Sequence, residues 1–181
     1  MRMKTEGRTA TDQLLVAVSI QDALKQLDLQ PYVQNKRIFF QVSGHSTEID
    51  YIAQVVPALL LQEGAMLVTK PEEADSVLTF VVDSAGSDQS TGGWGFPILL
   101  PSLTVGFIIT TIDLIQTEEQ IGLCRLWVFA TDAEGQHLFT SDPSHAQHSV
   151  KNLKVLGLSL GRTTDVDELR QRIPLVDIPI P

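Results

Sequence analysis

A single cysteine, Cys124, in a chain of 181 residues leaves no partner for an intramolecular disulfide and no thiolate set for a zinc knuckle. Basic residues are scarce too: 13 Lys and Arg stand against 22 Asp and Glu, a formal charge of −9, and the basic ones are scattered. A phosphate backbone has to be met by clustered cations, so no nucleic-acid partner is expected. No run of about 18 apolar residues occurs, and the sequence predicts no membrane-spanning helix. The opening stretch, MRMKTEGRTATDQ, has no apolar core of the kind a secretory leader needs. No complete catalytic signature is present either, and the chain is expected not to be an enzyme.

What is there suits one folded domain. A hydrophobic fraction of 43% and a charged fraction of 19% argue against disorder, and the length is enough to bury a core without staples. Residues 1–8 are polar and expected to be frayed. From Thr9 onward Leu14, Leu15, Ala17, Val18, Ile20, Ala23, Leu24 and Leu27 recur at helical spacing, with Asp12, Gln13, Gln21, Asp22 and Lys25 opposite. Thr9 or Thr11 can accept from the free N–H groups of the first turn, and Pro31 lies just past the expected end. Arg37 to Val42 reads as a strand. A second helix follows through Ile49, Ile52, Ala53, Val56, Leu59 and Leu60 to a stop at Gly64; Thr47 and Asp50 form its cap, and Pro57 is expected to kink or divide it. Ala65 to Thr69 and Val77 to Val82 read as two more strands, and the order strand, helix, strand predicts a parallel crossover.

The stretch from Asp83 to Gln116 is unusual for a connection, because it starts rich in Gly, Ser and Asp, then turns apolar and proline-punctuated. Residues 85–104 are expected to form an apolar Gly/Pro loop, and 105–131 a long antiparallel hairpin turning at Glu118, Glu119 and Gln120. A turn at Asp132 to Gly135 leads into a strand over Gln136 to Thr140. Residues 141–153 read as a polar loop, Val155 to Leu160 as a last strand or a glycine-softened loop, and Asp165 to Arg172 as a short helix. The expected class is α+β: a mixed sheet of five or six strands with two helices packed on one face. A single domain over 9–160 and a proline-rich strap over 161–181 complete it.

Candidate chemical sites are weak one by one. His145 and His148 have a spacing that would suit a metal on a helix, but His45, His137 and Asp142 offer no obvious third ligand; no metal and no cofactor are expected. Gly44-His45-Ser46 begins like a nucleophile elbow, yet Glu48 stands where the trailing glycine belongs, and a capping turn explains Ser46 and Thr47. Gly92, Gly93 and Gly95 open an apolar segment rather than a helix, so they supply flexibility and no phosphate cradle. The pairs Glu72/Glu73 and Glu118/Glu119 are placed in solvated turns. Cys124 is placed as a small buried hydrophobe, and Trp127 and Phe129 as core.

The sharper candidate is the set Trp94, Phe96, Ile98, Leu99, Leu100 and Leu103, a patch larger than a monomer normally exposes. Either it folds back over one sheet face or it meets a partner, a second copy or a membrane surface.

Taken together, RTATDQLLVAVSIQDAL, the helix ending in LLLQEGAMLV, then PEEADSVLTFVVDSAGSDQS and GWGFPILLPSLTVG resemble a group of bacterial envelope lipoproteins with a domain similar to the curli-secretion-lipoprotein and TolB-N-terminal type. The resemblance spans roughly residues 8–140, with the EAD before a strand as its sharpest detail. It implies a non-catalytic assembly role, protein contact and a periplasmic, outer-membrane-associated place; a cytoplasmic one is the alternative. The chain departs from that pattern in having no lipobox cysteine near Met1. Two other functions stay open: a small-ligand module with a pocket under the 85–104 loop, and an enzyme, such as a hydrolase, relying on Asp83, Asp88 and Asp113.

Overall fold

The computed structural model describes residues 9–102 and 106–170, the side chains of 98–102, 106–113, 168 and 170 excepted. Residues 1–8 and 171–181, expected to be a frayed start and most of a strap, lie outside it. The described chain falls into two compact units. One comprises residues up to Ser87 together with Gly122–His148; the other comprises Asp88–Ile121 and Ser149 onward.

The first unit begins with helix α1, Ala10–Lys25. Thr9 is its N-cap: the hydroxyl accepts from Asp12 N–H at 3.1 Å, and the Asp12 carboxylate accepts from Thr9 N–H at 3.0 Å. This reciprocal pairing satisfies two of the helix's free ends, and such a cap is worth about 1 kcal/mol. Leu15, Val16, Ile20, Ala23 and Leu24 are buried, and so is Ser19. A short turn of helix, α2, Gln30–Val33, follows with Pro31 in its first turn, where a missing N–H costs nothing. Strand β1, Arg37–Gly44, leads to helix α3, Ile49–Gln62, and then to β2, Met66–Leu67, which pairs parallel with β1. Helix α3 runs through Pro57 without dividing. An internal proline costs about 3 kcal/mol, whereas burying Ile52, Val56 and Leu60 gains about 1.5–3 kcal/mol each, so packing holds the helix together. The cap expected from Thr47 is absent, since the N-cap is Glu48 and makes no side-chain hydrogen bond to the helix.

A 3-10 turn, Pro71–Glu73, precedes β3, Ser76–Ser102, which lies parallel to β1 over Ser76 to Val82. Strand β4 is Gly106–Thr131. The sheet continues through β5, His137–Thr140, β6, Ser144–Val155, and β7, Leu158–Thr164, and a short helix α4, Asp167–Arg170, closes the described chain. The strand order is β2-β1-β3-β4-β6-β7, with β5 paired to β4 off that path.

The α+β class therefore holds, with two main helices packed on a mixed sheet and a long antiparallel hairpin. The sheet has seven strands rather than five or six. The hairpin is made by β3 and β4, so 105–131 supplies one arm of it and not both. Glu118, Glu119 and Gln120 lie within β4 instead of turning the chain, because β6 answers the two carboxylates: Lys154 meets Glu118 at 2.5 Å and Lys151 meets Glu119 at 3.1 Å. By the same pairing, residues 144–153 are strand and not polar loop.

The expected 85–104 loop is strand as far as Ser102. Pro97 and Pro101 are four apart, so their missing N–H groups fall on one edge of β3. That edge is paired to β1 only as far as Val82, and prolines are tolerated on an unpaired edge.

Parity decides the core. Leu78, Phe80 and Val82 of β3 and Cys124, Leu126, Val128 and Ala130 of β4 are buried in one cluster with the stripes of α1 and α3. Trp127 and Phe129, expected in the core, fall between those positions on the opposite face and are only half-buried. Arg37 and Asp75 fix the start of the β1/β3 pairing. The guanidinium meets the carboxylate at 2.7 Å, and the backbone N–H of Arg37 donates to it at 2.8 Å. These bonds hold the Asp75 carboxyl below its ordinary range and push the Arg37 guanidinium up. Both side chains are well exposed, so the pair sets register more than it adds stability.

Candidate functional site

Within the second unit the distribution of apolar side chains is the feature to be explained. Seven of the eleven large hydrophobic residues that stand exposed among the described residues belong to it: Trp94, Phe96, Ile115, Leu153, Leu156, Leu158 and Leu160. Strand geometry accounts for how they are grouped. Trp94 and Phe96 are two apart on β3 and so share a face; their rings meet edge to face with centroids 4.7 Å apart, yet remain 59% and 51% exposed. Gly93 sits close to β4 beside them, since a Cβ there would lie 3.1 Å from the Ile115 carbonyl oxygen.

Leu156 and Gly157 form the two-residue connection between β6 and β7, and both have positive φ, 50° and 77°. Such a turn matches the twist of the strands but favours Asn or Gly, so a leucine there costs roughly 1–2 kcal/mol. Leu156 is 64% exposed and gains no burial in return. Its backbone is tied instead, the N–H donating to the Leu114 carbonyl at 2.9 Å.

Of the six residues singled out from sequence, Trp94 and Phe96 are displayed on the surface. Ile98, Leu99 and Leu100 lie on the β3 backbone, their side chains outside the described residues, and Leu103 lies outside altogether. Sequence reasoning missed Leu153 because 141–153 reads as a polar loop, and it did not single out Leu156, Leu158 and Leu160 within the expected last strand or glycine-softened loop. The Leu-x-Leu alternation at 158 and 160, right after a glycine, was the signal that could have found them.

The other candidates are accounted for locally. Ser46 is held in its turn, its hydroxyl donating to the Ala85 carbonyl at 2.8 Å and accepting from Glu48 N–H at 3.1 Å. His145 and His148 lie on β6, where positions three apart face opposite sides; His148 meets Asp22 at 3.1 Å. Among the described residues no group of three or more His, Cys, Asp or Glu is placed to hold a metal. Of the three aspartates, Asp83 accepts from Trp127 Nε1 at 3.2 Å and meets Arg125 at 3.3 Å in the first unit, Asp88 belongs to the second, and the Asp113 side chain is outside the description. The segment beneath which a pocket is expected is strand over 85–102.

No protein-family model matches this chain, and no curated protein does. Among solved structures the chain is similar to the lipoprotein GNA1162 from Neisseria meningitidis, at 11% identity and a TM-score of 0.36, over 64% of this chain and 81% of that one. A likeness that distant carries no argument about what the surface does. Among the described residues no helix is long and apolar enough to cross a membrane.

Cys124 is fully buried, and burial pushes its thiol from the ordinary 9.0 up to about 12. Between those two values the unfolded chain gives up its proton while the folded chain holds it. Stability therefore falls as pH rises, by up to about 1.4 kcal/mol per pH unit from this group. Denaturant titrations of the wild type and Cys124→Ala, compared at about pH 8 and about pH 10.5, are expected to show the extra loss in the wild type alone. Parallel curves would reject it. Iodoacetamide at about pH 8 should label the thiol only as fast as the core opens.

Proposed function

We propose that this chain is a non-enzymatic bacterial envelope protein, acting at the periplasmic side of the outer membrane in assembly through protein contact, with the apolar segment 94–103 as the contact. The observation that carries the reading is the exposure of the Trp94–Phe96 pair, on a strand that continues through Ile98, Leu99 and Leu100. Aromatic side chains held by a sheet lose little conformational entropy on docking, which makes them effective anchors. The exposed Ile115 of β4 and Leu153 of β6 belong to the same unit and extend the supply of apolar area. A second copy of the chain or a different protein would satisfy this surface equally well in chemical terms. Aromatic residues next to an apolar run also suit the boundary of a lipid bilayer, and membrane-surface contact is the second reading.

Light scattering on the full chain separates these. Self-assembly gives a mass above the 19.9 kDa of one chain, and Trp94→Asp with Phe96→Asp is expected to reduce it to that value without unfolding the protein. Flotation with anionic liposomes that responds to the same pair of substitutions would favour the bilayer. A strict monomer that neither floats nor binds another envelope protein sinks the proposal.

A further inference from the structure

The sheet of the second unit has two unlike faces, and contacts across its strands decide which side chains share one. A Cβ built on Gly93 of β3 would lie 3.7 Å from Gln116 Cα and 3.9 Å from its Cγ, so those two positions point to the same side. Their neighbours Trp94 and Ile115 then point to the other. Glu119, four residues beyond Ile115 on β4, meets Lys151 of β6 at 3.1 Å and brings β6 into that same face. Leu153 and Val155 continue it. The extra residue where the β6/β7 register shifts is Leu160 of β7, so alternation along β6 runs on, and Val155 is paired with Leu158. Trp94, Phe96, Ile115, Leu153 and Leu158, from four neighbouring strands, therefore stand on one face and are between 41% and 69% exposed. The opposite face carries Gln116 and the ion pair of Glu118 with Lys154.

Breadth and charge together name the occupant of the apolar face. With strands about 4.8 Å apart, four of them span about 14 Å between the outer axes, wider than the roughly 10 Å of a helix, and a second sheet matches that width. Along the segments that carry the five residues, the charged side chains on this side are Glu119 and Lys151, which meet each other. The face is thus neutral on a chain of formal charge −9. A basic partner would be drawn to the acidic surface elsewhere, and an anionic bilayer finds no cluster of cations here. A second copy, which shares the same excess of negative charge, can approach where neither copy presents any.

We infer that this face packs against the same face of a second copy, sheet on sheet, in a two-fold dimer. The inference rests on the contact role proposed for Trp94 and Phe96; it extends that contact to Ile115, Leu153 and Leu158 and makes a second copy the partner. A two-fold arrangement uses one patch on both copies and closes, so assembly stops at two.

Light scattering on the full chain over a range of concentrations tests it. The wild type is expected to reach twice the 19.9 kDa of one chain. Leu153→Glu and, separately, Ile115→Glu are expected to raise the dissociation constant about tenfold or more, with far-UV circular dichroism unchanged because both side chains are exposed. Gln116→Glu adds the same charge on the polar face and is expected to leave the dimer as it is. A dimer weakened by Trp94→Asp but by neither Leu153→Glu nor Ile115→Glu overturns the inference and leaves the contact role of Trp94 and Phe96 standing. Equal weakening by Gln116→Glu overturns it, as does a mass that grows beyond two chains. A wild type that stays monomeric at every concentration also overturns it, and flotation or binding to another envelope protein then decides the contact role alone.

Discussion

Gly122→Ala is expected to destabilise the protein by about 3 kcal/mol or more, a large share of the roughly 5–15 kcal/mol that holds a domain together. A Cβ built on Gly122 would lie 2.4 Å from the Leu15 carbonyl carbon, 2.6 Å from its oxygen and 2.7 Å from its Cβ. Two of those three atoms are backbone of α1, so no rotamer change relieves the clash. The helix has to move off the sheet. Moving it also breaks the buried hydrogen bond from the Ser19 hydroxyl to the Gly122 carbonyl, 2.9 Å long, and a buried polar group left unpaired costs about 1–3 kcal/mol. Gly86→Ala is the control, since nothing lies within 4 Å of the added carbon. Urea titrations of both variants should separate them widely. A Gly122→Ala midpoint within the error of wild type would mean that α1 does not sit on β4 as described.

That contact shows where sequence reasoning stops. The helix itself was legible, because its apolar spacing and Thr9 with Asp12 are local signals. Neither Ser19 nor Gly122 carries a signal of its own in the sequence. Their meaning is a relation between two residues 103 positions apart, which no local window contains. The Arg37–Asp75 pair behaves alike: the EAD before a strand stood out as a sequence detail, and the structure gives it a register-setting role between β1 and β3.

The candidate surface divides along the same line. Trp94 and Phe96 were legible because aromatic residues among glycines and prolines are conspicuous in composition. The surrounding geometry was not, since glycine and proline counts argued for a loop where pairing with β4 makes strand. The charges misled for a related reason. Glu118 and Glu119 read as a turn in isolation, whereas Lys151 and Lys154, more than thirty residues later, neutralise them inside a sheet. The polar look of β6 then hid Leu153.

Alternation along β3 and β4 decides which face is core, and two phenylalanines measure it. Phe80 is the largest fully buried side chain, on β3 opposite Val42 of β1 and within the cluster that the helices cover. Phe80→Ala is expected to cost about 3–5 kcal/mol, because the neighbouring strands cannot collapse into the space left behind. Phe129, on β4, faces the other way and is half-buried, its ring 5.8 Å from that of Trp127. Phe129→Ala removes the same atoms but leaves little cavity, and about 1 kcal/mol is expected. A one-residue slip of β4 would put Phe129 in the core, one of β3 would put Phe80 outside, and if both slipped the two costs would exchange. Denaturant midpoints of the two variants, measured with unchanged slopes, therefore test the register directly. The larger loss falling on Phe129→Ala would overturn the assignment of faces and, with it, the placement of Trp127, Asp83 and Arg125 on the open side of the sheet.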